Sequence, residues 1–376
     1  MKIFKWLFII TLSLTFGCKD GYIDDITHVE PGPDEAAPVV NIDYPNEGTQ
    51  IRVREDVASI NIQFEVIDDI EIQDISVAMD GNEITSFSDF NDYRRAVEEY
   101  LYDELTNGPH TLTVTATDLS GKSTTGSVNF EKIEPYTPLD GEIFYMPFDG
   151  DYFELVTIIP ASDPVSTSFT NGIKGQAVGF NAASPSYLLF DSTSSIEAVE
   201  SLSVSFWVNV QFVDNDNSGG IDGILGLVNF SNVSSFWGNL DIFIENNSNP
   251  TDGADMRIHA FSGADTWITN VNDVQNVFGE WSNHIITYDA STSEFKYYIN
   301  GTLMTTATAG WSGPIDFTNA GPIVMGTVQF QTTPSLTSAT GSQTWASYLT
   351  GAIDEVRIFN KALSEEEIQA IIDDVN

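Results

Sequence analysis

Apolar and polar residues alternate at period two through most of this chain. Ile60, Ile62, Phe64 and Val66 form one such face, Ile75, Val77 and Met79 a second, and Leu112, Val114 and Ala116 alternate with Thr111, Thr113 and Thr115. Further on, Ser203, Ser205, Trp207 and Asn209 alternate with Val204, Phe206, Val208 and Val210, and Phe295, Tyr297 and Ile299 with Lys296, Tyr298 and Asn300. Asp80-Gly81 and Asn300-Gly301 supply the positive backbone angles of tight hairpin turns. A helical start appears only near the end, where Ser364 and Glu367 have capping-box spacing. The pattern predicts an all-β protein with one terminal helix. Proline-rich joints at Ala36-Ala37-Pro38 and Glu134-Pro135-Tyr136-Thr137-Pro138 divide it into a module over 38–134 and a larger domain over 139–376.

The N-terminus departs from this pattern. Lys2 and Lys5 flank the start of a short apolar run over 6–16, which leads to Gly17 and Cys18, so 1–17 reads as a secretory signal, too short for a stop-transfer helix. Cys18 is the only cysteine in the chain. Its place after Gly17 resembles the lipobox of bacterial lipoproteins, which implies that Cys18 becomes the acylated first residue. The mature protein then has no thiol and no disulfide, and its stability must come from its core. Residues 18–37 are polar and acidic and read as a solvated tether. An acidic stretch after the lipid-bearing cysteine resembles export signals for the surface of the outer membrane.

Charge narrows the partners. With 55 acidic and 14 basic side chains the formal net charge is -41, which disfavours nucleic acid and anionic lipid. From residue 135 onward the only cations are Lys174, Arg257, Lys296, Arg357 and Lys361, which argues against polyanionic glycans as ligands.

HTLTVTATDLSGKS resembles the last hairpin of bacterial immunoglobulin-like modules, which lie between membrane anchors and carbohydrate-binding domains and act mostly as spacers. Its one basic cluster, Tyr93-Arg94-Arg95, reads as a solvated strand face. Over 139–376 the segments Gly175-Gln176-Ala177-Val178 with Phe180, SLSVSFWVNV, GEWSNHIITYD, YYINGTL and GAIDEVRIFNKALSEEEI follow in the order seen in laminin-G-like, concanavalin A-like jelly-roll domains. The resemblance implies two curved sheets, a structural calcium in many members, and a concave face or loop rim that often holds oligosaccharides. It also implies an inward-packed Trp281.

The candidate chemistry is binding rather than catalysis. Enzymes of this architecture resemble β-glucanases whose active strand carries Glu-x-Asp-x-Glu. The nearest string here, Asn239-Leu240-Asp241-Ile242-Phe243-Ile244-Glu245, has Asn where the nucleophile belongs. None of His28, His110, His259 and His284 has nucleophile or metal-ligand spacing. Two calcium candidates arise. Asp214, Asp216, Ser218 and Asp222 occupy the first, third, fifth and ninth positions of an EF-hand-like loop, whose twelfth position is Leu225 instead of Glu. Asp149 and Asp354 lie where the family resemblance implies a calcium joining the first strand to the last. For sugar stacking, Trp207 lies on the polar side of its strand, and Trp237, Trp267, Trp311 and Trp345 lie in loop-like stretches rich in Gly, Ser, Thr and Asn. The expected protein is a lipid-anchored binder of a neutral polysaccharide, comparable to the surface glycan-binding proteins of bacterial uptake systems, with an outer-membrane transporter as a partner. An adhesin that binds protein and a divergent glycoside hydrolase are the rival readings.

Overall fold

The computed structural model describes residues 32–262 and 265–375. Cys18, the signal segment, most of the tether and His28 lie outside them. The chain divides into two compact units, one formed by 32–51 and 57–133 and the other by 52–56 and 134–375.

The first unit is a two-sheet sandwich. Val39–Tyr44, Ala58–Ile67 and Arg95–Leu105 form one sheet, and Gln50–Ile51, Ser123–Lys132, Gly108–Asp118, Ile72–Met79 and Asn82–Phe87 form the other. Every residue of the three alternating sets in this unit is buried, and they pack on one another across the sheets. Asp80 and Gly81 both have positive φ and turn Met79 back onto Asn82. Tyr93 is exposed and Arg95 pairs with Glu65 at 2.5 Å, as a solvated strand face requires.

The second unit is a larger sandwich. One sheet runs Asp163–Val165, Tyr187–Phe190, Ala320–Met325, Val228–Asn232, Leu240–Ile244, Ile224–Gly226 and Ala346–Ser347, and is extended beyond Leu240–Ile244 by Ala254–Phe261 and Asp265–Val274. The other runs Ser168–Asn171, Gln176–Phe180, Gly351–Phe359, Leu202–Val210, Trp281–Asp289, Glu294–Ile299 and Thr302–Thr308, with Glu142–Met146 paired to Gly351–Phe359. Val204, Phe206, Val208, Ile286, Tyr288, Ile353 and Val356 of one sheet meet Leu188, Phe230, Leu240, Ile242, Ile258 and Met325 of the other in a continuous core. His284 is inside as well. It is bonded to Ser282 and Tyr297, and burial lowers its pKa to about 3, so it is a neutral packing residue.

The C-terminal helix, Glu365–Asp373, begins with both reciprocal bonds of the Ser364 and Glu367 capping box. Ile368, Ile371 and Ile372 pack on Trp207, Ile285, Tyr298 and Phe359, on the outer side of the second sheet. This corrects the expectation for Trp207. It is 5% exposed, because the helix and the chain leading into it cover the side of the strand that its serines make look solvated. Ser203 donates to the Lys361 carbonyl at 2.7 Å and accepts from the Leu363 N–H at 3.0 Å, so its hydroxyl is satisfied by backbone instead of water. Trp281 is corrected in the opposite sense: it is half-buried at the margin of this outer cluster and not part of the central core.

Candidate functional site

Three tryptophans far apart in sequence meet on the outer face of the first sheet of the large sandwich. Along Leu240–Ile244, Leu240, Ile242 and Ile244 enter the core and Asp241 and Phe243 face out. On the neighbouring strand Ile258 and Ala260 go in, and His259 stands opposite Asp241. A register shift between Ile258 and His259 places Trp267 opposite His259. Trp345 arrives by a different route, held beside the Ile224 to Ala346 parallel pairing, where the Ile224 N–H donates to the Trp345 carbonyl at 3.0 Å.

Trp237 sits at the centre. Its ring centroid is 5.3 Å from Phe243 with the planes nearly parallel, 5.7 Å from Trp267 and 6.2 Å from Trp345. Trp345 also meets Phe236 at 6.1 Å and Phe330 at 5.4 Å. The loop carrying Phe236 and Trp237 is pinned by Gln329, a fully buried amide that donates to the Ser235 and Phe236 carbonyls at 2.9 and 3.0 Å and accepts from Asn232 at 2.6 Å. Sequence reasoning passed over Gln329, since a glutamine in a polar loop carries no pattern of its own. Gly238 lets this loop approach the sheet, because a Cβ there would lie 2.4 Å from the Phe230 carbonyl oxygen.

Burial divides the cluster into support and surface. Phe243, Phe330, His259 and Asp241 are buried, whereas Trp267 is 52% and Trp345 39% exposed. Such a contiguous aromatic surface on a fixed base is the candidate binding surface of this domain. Trp311 does not join it: its ring contacts are with Tyr288 and Phe295, each at 6.0 Å, and it packs against the central core, so its expected role in sugar contact is corrected to packing.

Among the described residues, the carboxylates near this surface do not form a hydrolytic pair. Asp241 is buried, accepts from the Gly238 N–H at 2.7 Å, and lies beside His259. Glu245 is four residues further along the same face, about 13 Å at strand rise, against roughly 5 to 9.5 Å for a glycosidase pair. Asp255 stands beside Glu245, but Arg257 lies between them, 3.3 Å from Asp255 and 3.5 Å from Glu245. Burial tends to raise the Asp255 pKa, and hydrogen bonds from Asn247, the Asp273 N–H and Arg257 outweigh it and hold it low, the wrong direction for a general acid.

The five cations from residue 135 onward are all engaged with carboxylates: Lys174 with Asp374 at 2.9 Å, Arg257 with Asp255, Lys296 with Glu294 at 3.2 Å, Arg357 with Glu142 at 2.8 Å, and Lys361 with Glu367 at 2.6 Å. Arg357 also lies 3.7 Å over the Tyr145 ring and 3.1 Å from Glu355, so its charge is consumed internally.

The two calcium candidates fare differently. Carboxylate oxygens of Asp214, Asp216 and Asp222 lie within 4.8 Å of one another, a donor set of the right chemistry for a hard cation. Ser218 donates its N–H to Asp214 and Asp216, at 3.0 and 2.9 Å, and its side chain also hydrogen-bonds Asp216. Leu225 is a core residue, so the loop's twelfth position offers no bidentate ligand. Asp149 and Asp354 are corrected to backbone caps. Asp149 accepts from the Gln176 N–H at 2.8 Å, and Asp354 accepts from the N–H groups of Ile173, Lys174 and Glu355 at 2.8, 3.3 and 2.9 Å. Their oxygens hold the hairpin over 171–176, and among the described residues no third His, Cys, Asp or Glu ligand atom is grouped with them.

Burial pushes the Asp354 carboxyl from its ordinary 3.8 up to about 7, with Glu355 adding to the rise and the Lys174 and Ile173 N–H groups opposing it. A carboxyl that holds its proton more tightly when folded lends stability that is complete below about pH 4 and is lost as pH rises through about 7. The amount is on the order of 4 kcal/mol. Asp354→Asn is therefore expected to flatten the fall in urea-unfolding stability between pH 4 and pH 8. An unchanged slope contradicts this assignment.

Comparison with known proteins places both units. Residues 183–369 match the concanavalin A-like lectin/glucanases superfamily, in its laminin G form, and residues 38–114 match the bacterial Ig domain. No curated protein matches the chain. Among solved structures, the binding domain of Paraclostridial Mosquitocidal Protein 1 is similar at 15% identity and a TM-score of 0.46, over 62% of this chain and 52% of that one. Domain 4 of the arabinanase AbnA from Geobacillus stearothermophilus, in complex with arabinotriose, is similar at 17% identity and 0.41, over 61% and 98%. The binding domain of Botulinum Neurotoxin DC in complex with SialylT is similar at 14% identity and 0.45, over 63% and 52%. The chain thus spans about half the length of the first and third of these structures.

Proposed function

We propose that this chain, in which a bacterial Ig domain precedes a concanavalin A-like domain, is a non-catalytic carbohydrate-binding lipoprotein that captures a neutral polysaccharide. The lipid on Cys18 holds it to the outer membrane, the tether and Ig domain act as spacers, and an outer-membrane transporter receives the captured glycan. The observation that carries the reading is the convergence of Trp237, Trp267 and Trp345 on one sheet face, two of them exposed. Aromatic faces of this kind suit the apolar faces of pyranose rings. Neutrality of the ligand follows from the pairing of all five cations and the net charge of -41. A glycan array and a reducing-sugar assay on the same polymers test it together. Binding without sugar release is expected; release sinks the non-catalytic reading, and absence of binding to every neutral glycan sinks the carbohydrate reading.

Calcium belongs to the same proposal as a weak structural ion held by Asp214, Asp216 and Asp222, where it would offset the repulsion of three carboxylates. Added calcium at about ten times its Kd is expected to raise the melting temperature by about 3 °C over a chelator-treated sample, and Asp216→Ala to remove the rise. An identical melting temperature with calcium and with chelator removes the ion from the account.

A further inference from the structure

We propose that the large sandwich carries a second neutral-carbohydrate site, a cleft around Trp281 on the opposite sheet from the tryptophan surface. A cavity of about 450 Å3 opens there. Its floor is one row of directly paired residues across five strands: Ser168 opposite Gly179, Gly179 opposite Ala352, Ala352 opposite Asn209, and Asn209 opposite Trp281. Four strand spacings make the row about 19 Å long, enough for a short oligosaccharide. The neighbours of these residues along each strand, Val178, Val208 and Ile353, go into the core, so the row faces outward.

The size sequence along the row shapes the cleft. Gly179 and Ala352 leave the middle shallow, and the Trp281 indole stands at one end. The same sheet face continues to Trp207, which the C-terminal helix covers, but Trp281 stays partly exposed at the edge of that cover. An indole held by packing on one side and open on the other, at the end of a floor of small side chains, is a stacking platform.

The polar groups fit a ligand made of hydroxyls. Asn171, Asn181, Asn209 and Gln211 supply amides, and Ser168 and Thr170 hydroxyls; among the described residues no ionisable side chain lines the cavity, in a chain that is 18% charged. Gln211 donates to the Asn209 carbonyl at 2.6 Å, which orients both amides and leaves the Asn209 NH2 and the Gln211 carbonyl for a ligand. Each offered donor or acceptor matches a sugar hydroxyl, which can play either part, whereas an anionic ligand finds no cation here. The cleft does not depend on the tryptophan surface for its chemistry.

The test is 15N-indole NMR of the intact protein titrated separately with cellohexaose, laminarihexaose, mannohexaose, xylohexaose and arabinohexaose. The Trp281 signal is assigned with Trp281→Phe. At least one hexasaccharide is expected to shift it, both in the wild type and in a Trp267→Ala, Trp345→Ala variant. Thr170→Arg fills the cleft from an exposed edge-strand position and is expected to weaken that response at least tenfold in Kd, with the Trp267 response intact. Shifts confined to Trp237, Trp267 and Trp345 overturn the second cleft and leave the first site standing, as does a Trp281 shift that Thr170→Arg does not change. No shift at any tryptophan with any hexasaccharide overturns both.

Discussion

Replacing Trp267 and Trp345 together with alanine is expected to abolish retention on a neutral polysaccharide while the sandwich stays folded. These are the two solvent-facing rings of the aromatic surface, and the groups beneath them, Phe243, Phe330, His259 and Asp241, are buried without needing ligand. Central aromatic anchors of a binding site each cost about 2 kcal/mol or more on truncation, so the pair is worth roughly a thousandfold in Kd. Stability should fall by less than in a core deletion, because both side chains are already partly in water and exposed substitutions seldom cost much. Affinity electrophoresis reads the binding and urea unfolding the stability. Full retention by a folded double variant removes the tryptophan surface from the account.

Trp207→Ala is expected to do the reverse. The indole is buried between the second sheet and Ile368, Ile371 and Ile372 of the terminal helix, and deleting such a side chain costs about 3 to 5 kcal/mol. That is a large part of the 5 to 15 kcal/mol typical of a folded domain. The loss should appear as a lower urea midpoint, with the terminal helix the first element to detach, since its apolar face packs there. At a temperature where the variant is folded, its affinity for glycan should match the wild type. A stable variant with weakened binding would restore Trp207 to the site.

These opposite outcomes show where the sequence was legible and where it was not. Alternation along the strands of Ile60, Val77, Val114, Phe206 and Tyr297 shows directly which side meets the core, because period two is a local property. The turns at Asp80-Gly81 and Asn300-Gly301 and the Ser364 cap are equally local, and each stands as read. Trp237, Trp267 and Trp345 are another matter. Each lies in a polar stretch that looks like the surroundings of Trp311, and only the strand order brings the three together and sends Trp311 to the core. Trp207 was hidden by the same kind of non-local effect: Ser203 and Ser205 mark a polar face, but the chain over 361–372 returns to cover it. Trp281 went the other way, since a resemblance in a short motif carries no account of how far the terminal helix reaches. For Asp354 the strand position was legible, whereas Asp149 lies three residues past the Glu142–Met146 strand, and their hydrogen-bond partners come from a hairpin 27 residues away in one case and some 180 in the other.

The central claim is that the concanavalin A-like domain binds a neutral glycan through an aromatic surface. Affinity electrophoresis of the intact protein through gels containing neutral polysaccharides and, in parallel, polyuronates tests it most directly. Retardation by at least one neutral polymer, none by the polyuronates, and loss of the retardation in the Trp267→Ala, Trp345→Ala variant is the predicted result. Free migration through every neutral polymer, or retardation by the acidic ones alone, contradicts it.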